Sequence, residues 1–501
     1  MRLTRWRHTH VRQHFAVGGF FFVTALIGGL TYWKCRGQNR NSGDNQTKEY
    51  FLAGGGLTWM FVAGSITLTN LSTDQLVGMN GNQMALLVWW ELAAILGLII
   101  LAKVFIPVYY KYNCTTTTEL LEKRYNNKHI RAVIGGLFFL GNALIYMPAV
   151  IYSGALFMQT MFKVDIPLMY IATAFALVGA IYAFFGGLRA VAVSDTYNGL
   201  LVLGMAILVV FLALNAIDYD FSGIPQERLT LIGDADSPIP WPTLLTGMIF
   251  IQMYYWGTNQ TITQRAMAAP NVKEAQKGIF AAAGIHFLIV PAIVVLPGII
   301  SYKLYGDIGD AAYGRIVGDV MPAWLTGVFA AAMAAAVLST YNSLLNSATA
   351  LYVCDIHEAY FNKEPSVVKL SGYVTLLLTS LTLVLVPIYQ QADSIINLLQ
   401  QLNGLLSMPI FSIFVVGLLF KNVDARAGIA AVILGVVMYG MLTFENSPLH
   451  TELHYIHLMP ITLIVCVAFA LIVNKVVFGL NAQWAGKTPA IEDTPPVQAP
   501  K

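Results

Sequence analysis

Charge is what this chain has least of. Only 11% of its 501 residues are Asp, Glu, Lys or Arg, and 57% are apolar. Soluble domains carry roughly 25% charge, so an ordinary soluble globule is excluded. Cysteine is also scarce. Cys35 and Cys114 fall in connections, Cys354 at a helix end and Cys466 inside an apolar run, so no disulfide framework is expected. Metal-binding spacing is missing as well: His357-Glu358 lacks the second His of a zincin helix. His286, in mid-span by hydropathy, reads as a packed, hydrogen-bonded core residue rather than a ligand. No connection is long enough for a soluble domain, and the largest, 217–238, is only a long loop.

What is there is lipid-soluble sequence. Apolar runs of roughly 20 residues, enough to cross the hydrocarbon core, recur about thirteen times from Phe15 to Val477. Their centres lie near residues 24, 68, 97, 147, 176, 205, 253, 290, 336, 379, 407, 435 and 466. The chain therefore reads as an all-α polytopic membrane protein in a cell (inner) membrane.

Orientation follows from the basic residues, which favour the cytoplasmic side. With the spans numbered from zero, the even connections hold Lys34, Arg36, Arg40, Lys48, a block from Lys103 to Arg131, and Arg189, Arg265, Lys273, Lys277, Lys363, Lys369, Lys421 and Arg426. The opposite connections hold Lys163, Arg228, Lys303 and Arg315. This places the N-terminus outside and the C-terminus inside. The segment MRLTRWRHTHVRQH runs against the rule: either the later spans outvote it, or the true start lies nearer Ala16. The net charge of +3 thus reports topology and gives no sign of nucleic acid as a partner.

One run is out of place. In SITLTNLSTDQLVGMNG, Thr69, Asn70, Ser72, Thr73, Asp74 and Gln75 gather at mid-depth, where each polar group is costly unless it is buried in protein or lines a watery cavity. Ser and Thr alone would serve as glue between helices, but Asn70, Asp74 and Gln75 together point to a functional site. The pattern T-N-x-[ST]-x-x-Q recurs five spans later as Thr258, Asn259, Thr261 and Gln264. An odd offset turns the second copy upside down, as an inverted repeat of five spans requires. Interrupted helices at matching places in two inverted halves indicate a transporter with its site at mid-bilayer. In span 8, Ser339, Asn342 and Asn346 follow i, i+3, i+7, with Thr340, Ser343 and Ser347 one step round. Such stripes of oxygen without a carboxylate cage suit a singly charged hard cation, so Na⁺ is the natural ion.

These residues also carry a resemblance. YYWGTNQTITQRAMAAPNVKEAQKG, with EYFLAGG, TNLSTDQLVGMNG, FGGLRAVAVSD and VLSTYNSLLNSAT, closely resembles the sodium/solute symporter family, in the branch of bacterial sodium/galactose symporters, over roughly 48–445. The resemblance implies a leucine-transporter-like five-plus-five inverted repeat with discontinuous helices. Its domains would be an N-terminal segment with an extra span (1–50), first repeat (51–220), second repeat (221–422), C-terminal spans (423–480) and a disordered cytoplasmic tail (481–501).

It implies a sodium site of the carbonyls of Leu68, Leu71 and Ala336 with the hydroxyls of Ser339 and Thr340. A second sodium site would use Asp195, Ser339 and Ser343, with Asn342 where relatives resembling it carry Ser. Gln75, Glu91 and Gln400 stand where the resemblance places sugar contacts, Tyr255 where an aromatic ring closes over the sugar, and Met79 at an outer gate. Tyr146 and Gln252 replace Asn contacts, Ala94 a Ser and Phe287 a Lys, so the hydroxyl pattern read here differs.

Asn70 and Ser72 would brace the helix break, and Asp74 either faces solute or bonds the helix end. Glu91, beside Trp89 and Trp90, suits a sugar face, the alternative being a solvated Glu in an interfacial Trp belt. The expected function is Na⁺-coupled import of a sugar or sugar-derived solute. Enzyme activity is not expected, since Ser339 has no His or Lys partner evident in the sequence. A non-sugar solute such as proline or pantothenate, a proton in place of Na⁺, or a solute sensor on the same fold are the alternatives. The sensor reading would call for a signalling domain, and none is expected after residue 478. The expected partners are the solute, a sugar or sugar acid, and the lipid bilayer, with no obligate protein partner.

Overall fold

The computed structural model of the chain describes residues 55–361 and 366–486 with Leu26, Gly29 and Leu52, and gives backbone alone over 184–195. Apart from Leu26 and Gly29, the span expected around residue 24 lies outside the described residues, as does the tail beyond 486. Nine described helices are long and apolar enough to cross a membrane. They are Ala85–Lys111, Lys128–Phe162, Thr196–Ala216, Val272–Tyr305, Ala323–Tyr360, Val367–Tyr389, Ile395–Leu419, Ala425–Thr443 and Tyr455–Val476.

The remaining expected spans take other forms. The first polar segment is two helices, α1 (Trp59–Asn70) and α2 (Thr73–Gly81), followed by α3 (Trp89–Ile100). Next come α4 (Lys128–Gly141), α5 (Met147–Phe162) and the 49-residue α6 (Leu168–Ala216). In α6 the connection expected at Arg189 is itself helical, so the two apolar stretches it joins form one hydrogen-bonded run. The second polar segment is again split, into α7 (Gly247–Thr258) and α8 (Gln260–Met267). Then follow α9 (Val272–Leu288), α10 (Val290–Tyr305), α11 (Ala323–Ala350), α12 (Val367–Tyr389), α13 (Ile395–Leu419), α14 (Ala425–Thr443) and α15 (Tyr455–Val476).

Both breaks fall on the repeated motif. α1 closes with Thr67, Thr69 and Asn70, residues that give little back to a helix, and the chain leaves helical space at Leu71 (ψ 61°) and Ser72 (ψ 171°). In the second copy Asn259 (ψ 119°) interrupts, and its side-chain oxygen accepts the Thr261 N–H at 2.9 Å to start α8. A break leaves carbonyls at the end of the first half-helix without helical N–H partners further along the chain.

The bundle closes round these half-helices. α6 packs against both α1 and α11, and α9 against α1. Gly64 permits the first of these approaches, since a Cβ there would stand 2.5 Å from Thr196 Oγ1 and 2.9 Å from its Cα. Single wide π-helical turns interrupt three spans, at Leu101–Phe105, Asn142–Tyr146 and Leu351–His357. Cys354 and Cys466 are free thiols, and both they and Cys114 are buried.

One end of the bundle is tied by Asp355, which is wholly buried. It takes Arg131 Nε at 2.7 Å and Thr116 Oγ1 at 2.9 Å, with Thr118 as a further donor, and Arg131 also reaches Glu122 at 2.7 Å. Order also persists past 481, where a disordered tail is expected. Gln483–Trp484 pair antiparallel with Phe420–Lys421, and the Ala485 N–H donates to the Leu419 carbonyl. Partners for the backbone groups just after α13 are the physical reason for this short ordered stretch.

Candidate functional site

A cavity of about 110 Å³ lies where the two breaks face each other. From the first half it is lined by Thr69, Asn70, Ser72, Asp74, Gln75 and Met79, then Trp90, Glu91 and Ala94 of α3 and Tyr146 of the π-helical turn. Ile251, Gln252, Tyr255 and Trp256 of α7, Asn259 at the break and Thr261 of α8 complete the opposite wall. α11 contributes Thr340 and Leu344, and α13 Ile396, Leu399, Gln400 and Asn403. All the sugar-contact and gate candidates, Gln75, Met79, Glu91, Tyr146, Gln252, Tyr255 and Gln400, thus meet at one place. Phe287 does not, being 56% exposed on the outside of α9.

A line of hydrogen bonds crosses the cavity wall. Asn70 Nδ2 donates to Gln75 Oε1 at 3.2 Å, Gln75 Nε2 donates to Glu91 Oε1, and Glu91 Oε2 stands 2.6 Å from His286 Nδ1. Glu91 is only 2% exposed, so it is no solvated residue of an interfacial belt. Ser72 Oγ donates to Asp74 Oδ1, which keeps this carboxyl at the start of α2 while it also borders the cavity. On the far side Trp256 Nε1 donates to Gln252 Oε1 and Gln252 Nε2 to the Trp90 carbonyl, both at 2.9 Å, fixing the amide against α3. Tyr146 OH donates to Asn403 Oδ1 at 2.7 Å.

Sequence reasoning missed Asn403 and the wall made by Trp90 and Trp256. It read His286 as a hydrogen-bonded core residue, which describes its burial but not its partner. Only its burial was legible: the small and apolar residues Ala275, Gly278, Ile279, Ala282 and Ala283 run at helical spacing straight to it.

Beside the cavity lie the residues expected to hold sodium. Leu68, Leu71 and Ala336 are wholly buried, Ser339 is 2% and Thr340 4% exposed. The hydroxyls of Ser339, Thr340 and Ser343 and both polar atoms of Asn342 are buried with no hydrogen-bond partner, as are those of Thr67, Thr69 and Thr73. Orphaned oxygens at such density are costly in a bilayer interior unless a cation gathers them. The residues therefore fit a small monovalent cation, and Thr340 belongs to both this set and the cavity wall. The side chain of Asp195 lies outside the described residues.

Paired broken helices, a mid-bundle cavity and an adjoining cluster of unpaired oxygens define a secondary transporter of the inverted-repeat class. The family model described as "Sodium:solute symporter family" matches residues 50–435, and the chain belongs to that family, with Na⁺ as coupling ion. The chain is 33% identical over 481 residues to the uncharacterized symporter YidK of Escherichia coli strain K12, covering 91% of this chain and 82% of that one. It is 29% identical over 498 residues to the sodium/glucose cotransporter of Vibrio parahaemolyticus, covering 91% and 90%. Among solved structures, a substrate-bound, outward-open Na⁺-coupled sialic acid symporter superposes with a TM-score of 0.77 at 19% identity, over 92% of this chain and 97% of that one. The inward-facing conformation of Mhp1 superposes at 0.51 with 14% identity, over 85% and 94%, and at such identities both speak for the fold alone.

Proposed function

We propose that the chain imports a neutral sugar or sugar-derived polyol with Na⁺, through alternating access around the cavity between the two breaks. The observation that carries this reading is the lining itself. Gln75, Gln252, Gln400, Asn403 and the Tyr146 and Tyr255 rings offer the amides and aromatic faces that sugars use, next to the unpaired oxygens at Ser339 and Thr340. Asp74 and Glu91 border the cavity, while no Lys, Arg or His does among the described residues. A solute carboxylate would meet like charge there without a counter-ion, which favours hydroxyl donors over a sugar acid. The relatives named for glucose and, at 27% identity over 467 residues, for myo-inositol agree with a neutral polyol.

In this scheme Na⁺ sits on the carbonyls of Leu68, Leu71 and Ala336 and the hydroxyls of Ser339 and Thr340. It orders the Asn70–Gln75 segment, so solute meets a formed site. A second Na⁺ would draw on Asp195, Ser339, Asn342 and Ser343. One Na⁺ crossing about 100 mV gains roughly 2.3 kcal/mol and a tenfold gradient about 1.4, enough for accumulation of several hundredfold. The N-terminus faces out and the C-terminus the cytoplasm in this reading, in the inner membrane.

The test is uptake into proteoliposomes of labelled sugars, polyols and sugar acids, with and without an inward Na⁺ gradient, and proline as a non-sugar control. Sodium-driven accumulation of a neutral member is the expected result. Accumulation of proline alone would remove the sugar assignment and leave the coupling.

A further inference from the structure

Glu91 is a buried carboxyl in the cavity wall, and its two oxygens are engaged from two different helices. Gln75 Nε2 donates to Oε1 from α2, and His286 Nδ1 lies 2.6 Å from Oε2 from α9. His286 is wholly buried and does not border the cavity, so it is not positioned to touch solute. Its other nitrogen, Nε2, has no partner, and the Trp256 indole stands edge-on to the imidazole at 5.3 Å. A buried N–H without an acceptor costs more than a bare acceptor lone pair. The proton is therefore best placed on Nδ1, donated to Glu91, with Nε2 left bare.

We propose that His286 is a positioning residue for the solute site, one that holds the Glu91 carboxyl in a fixed orientation with an acceptor aimed at the cavity. Resting on the solute reading above, this assigns the choice of solute chemistry to a residue that solute never meets. With one lone pair on each oxygen already taken by Gln75 and His286, Glu91 keeps acceptor capacity towards the cavity in a fixed direction. It therefore rewards hydroxyl donors at one fixed place. A freely turning or protonated Glu91 would offer the same solute both a donor and an acceptor and lose that discrimination. The same clamp joins α3 to α9, and through Gln75 and Asn70 it extends to the break beside the sodium residues.

The experiment compares His286→Leu, which removes the donor at similar bulk, with His286→Asn, whose Nδ2 stands where Nδ1 was, each with and without Glu91→Gln. Sodium-driven uptake in proteoliposomes should show solute KM raised about tenfold or more in His286→Leu, with the sodium concentration for half-maximal uptake unchanged. His286→Asn should recover most of that loss. In the Glu91→Gln background His286→Leu should shift KM by less than about twofold, since there is no carboxylate left to aim. Equal shifts in both backgrounds, or an Asn variant no better than Leu, would reduce His286 to a packing residue and overturn the proposal. A second readout needs no solute: the infrared carboxylate band that Glu91→Gln removes should shift in His286→Leu and stay in His286→Asn. An unshifted band overturns the clamp, whereas a shifted band with no uptake of any sugar or polyol overturns the solute reading instead.

Discussion

Asp310 Oδ2 accepts the backbone N–H of Ile395, the first residue of α13, at 2.9 Å. The loop between α10 and α11 thereby caps a helix that supplies Gln400 and Asn403 to the cavity. Burial pushes the Asp310 carboxyl from 3.8 up to about 7, against the smaller, opposite pull of the Ile395 hydrogen bond. A carboxyl raised in the folded state is stabilising while protonated. That contribution is whole below pH 3.8 and is lost as pH rises towards 7. Thermal unfolding in detergent should therefore show Tm falling across this window, and Asp310→Asn should flatten the slope. An unchanged slope in Asp310→Asn would assign it to other groups.

Gly97 carries the contact between α3 and α7. A Cβ there would stand 2.4 Å from Trp256 Cδ1 and 2.5 Å from the Gln252 carbonyl oxygen, and the latter is backbone that cannot turn aside. Gly97→Ala should cost about 1–3 kcal/mol through overpacking and should displace the amide of Gln252. The expected readout is a lowered Tm together with a raised solute KM.

Ser339→Ala removes one of the unpaired buried hydroxyls. The sodium concentration for half-maximal uptake should rise about tenfold, with solute KM at saturating sodium nearly unchanged. Unaltered sodium activation would take Ser339 out of the ion site.

Gln75→Ala should behave in the opposite sense. Solute KM should rise about tenfold and sodium activation by less than about twofold, because the amide meets Glu91 and the cavity. An effect on sodium alone would make Gln75 a brace of the break.

Arg131→Met should destabilise the protein by about 3–5 kcal/mol, because it strands Asp355 in a site with no exposure. Adding Asp355→Leu should restore part of the loss, since the pair can be replaced by apolar packing at less cost than it can be halved. Denaturation midpoints of the single and double variants check this.

How much was legible beforehand depended on distance along the chain. The T-N-x-[ST]-x-x-Q repeats predicted two interruptions, and the structure breaks its helices at Leu71–Ser72 and at Asn259. A local conflict between polar residues and lipid is enough to announce a break. The meeting of Glu91 with His286, 195 positions apart, was illegible. It depends on how α3 and α9 cross, and no local pattern records a crossing. The π-helical turn that brings Tyr146 to the cavity was hidden for a similar reason. One extra residue per turn leaves composition and hydropathy unchanged while rotating all that follows it. Helicity across Arg189 was missed because a charged, glycine-bearing stretch reads as a connection whether or not its backbone stays wound.

The burial of Cys114, Cys354 and Cys466 has a practical side. The chain has four cysteines in all, so with Cys35 replaced no native thiol remains open to a water-borne maleimide. A pair of cysteines placed on exposed positions, one on each inverted half, would then carry the only two fluorophores. Energy transfer between them would turn the rocking of the halves, with sodium and without it, into a distance followed one molecule at a time.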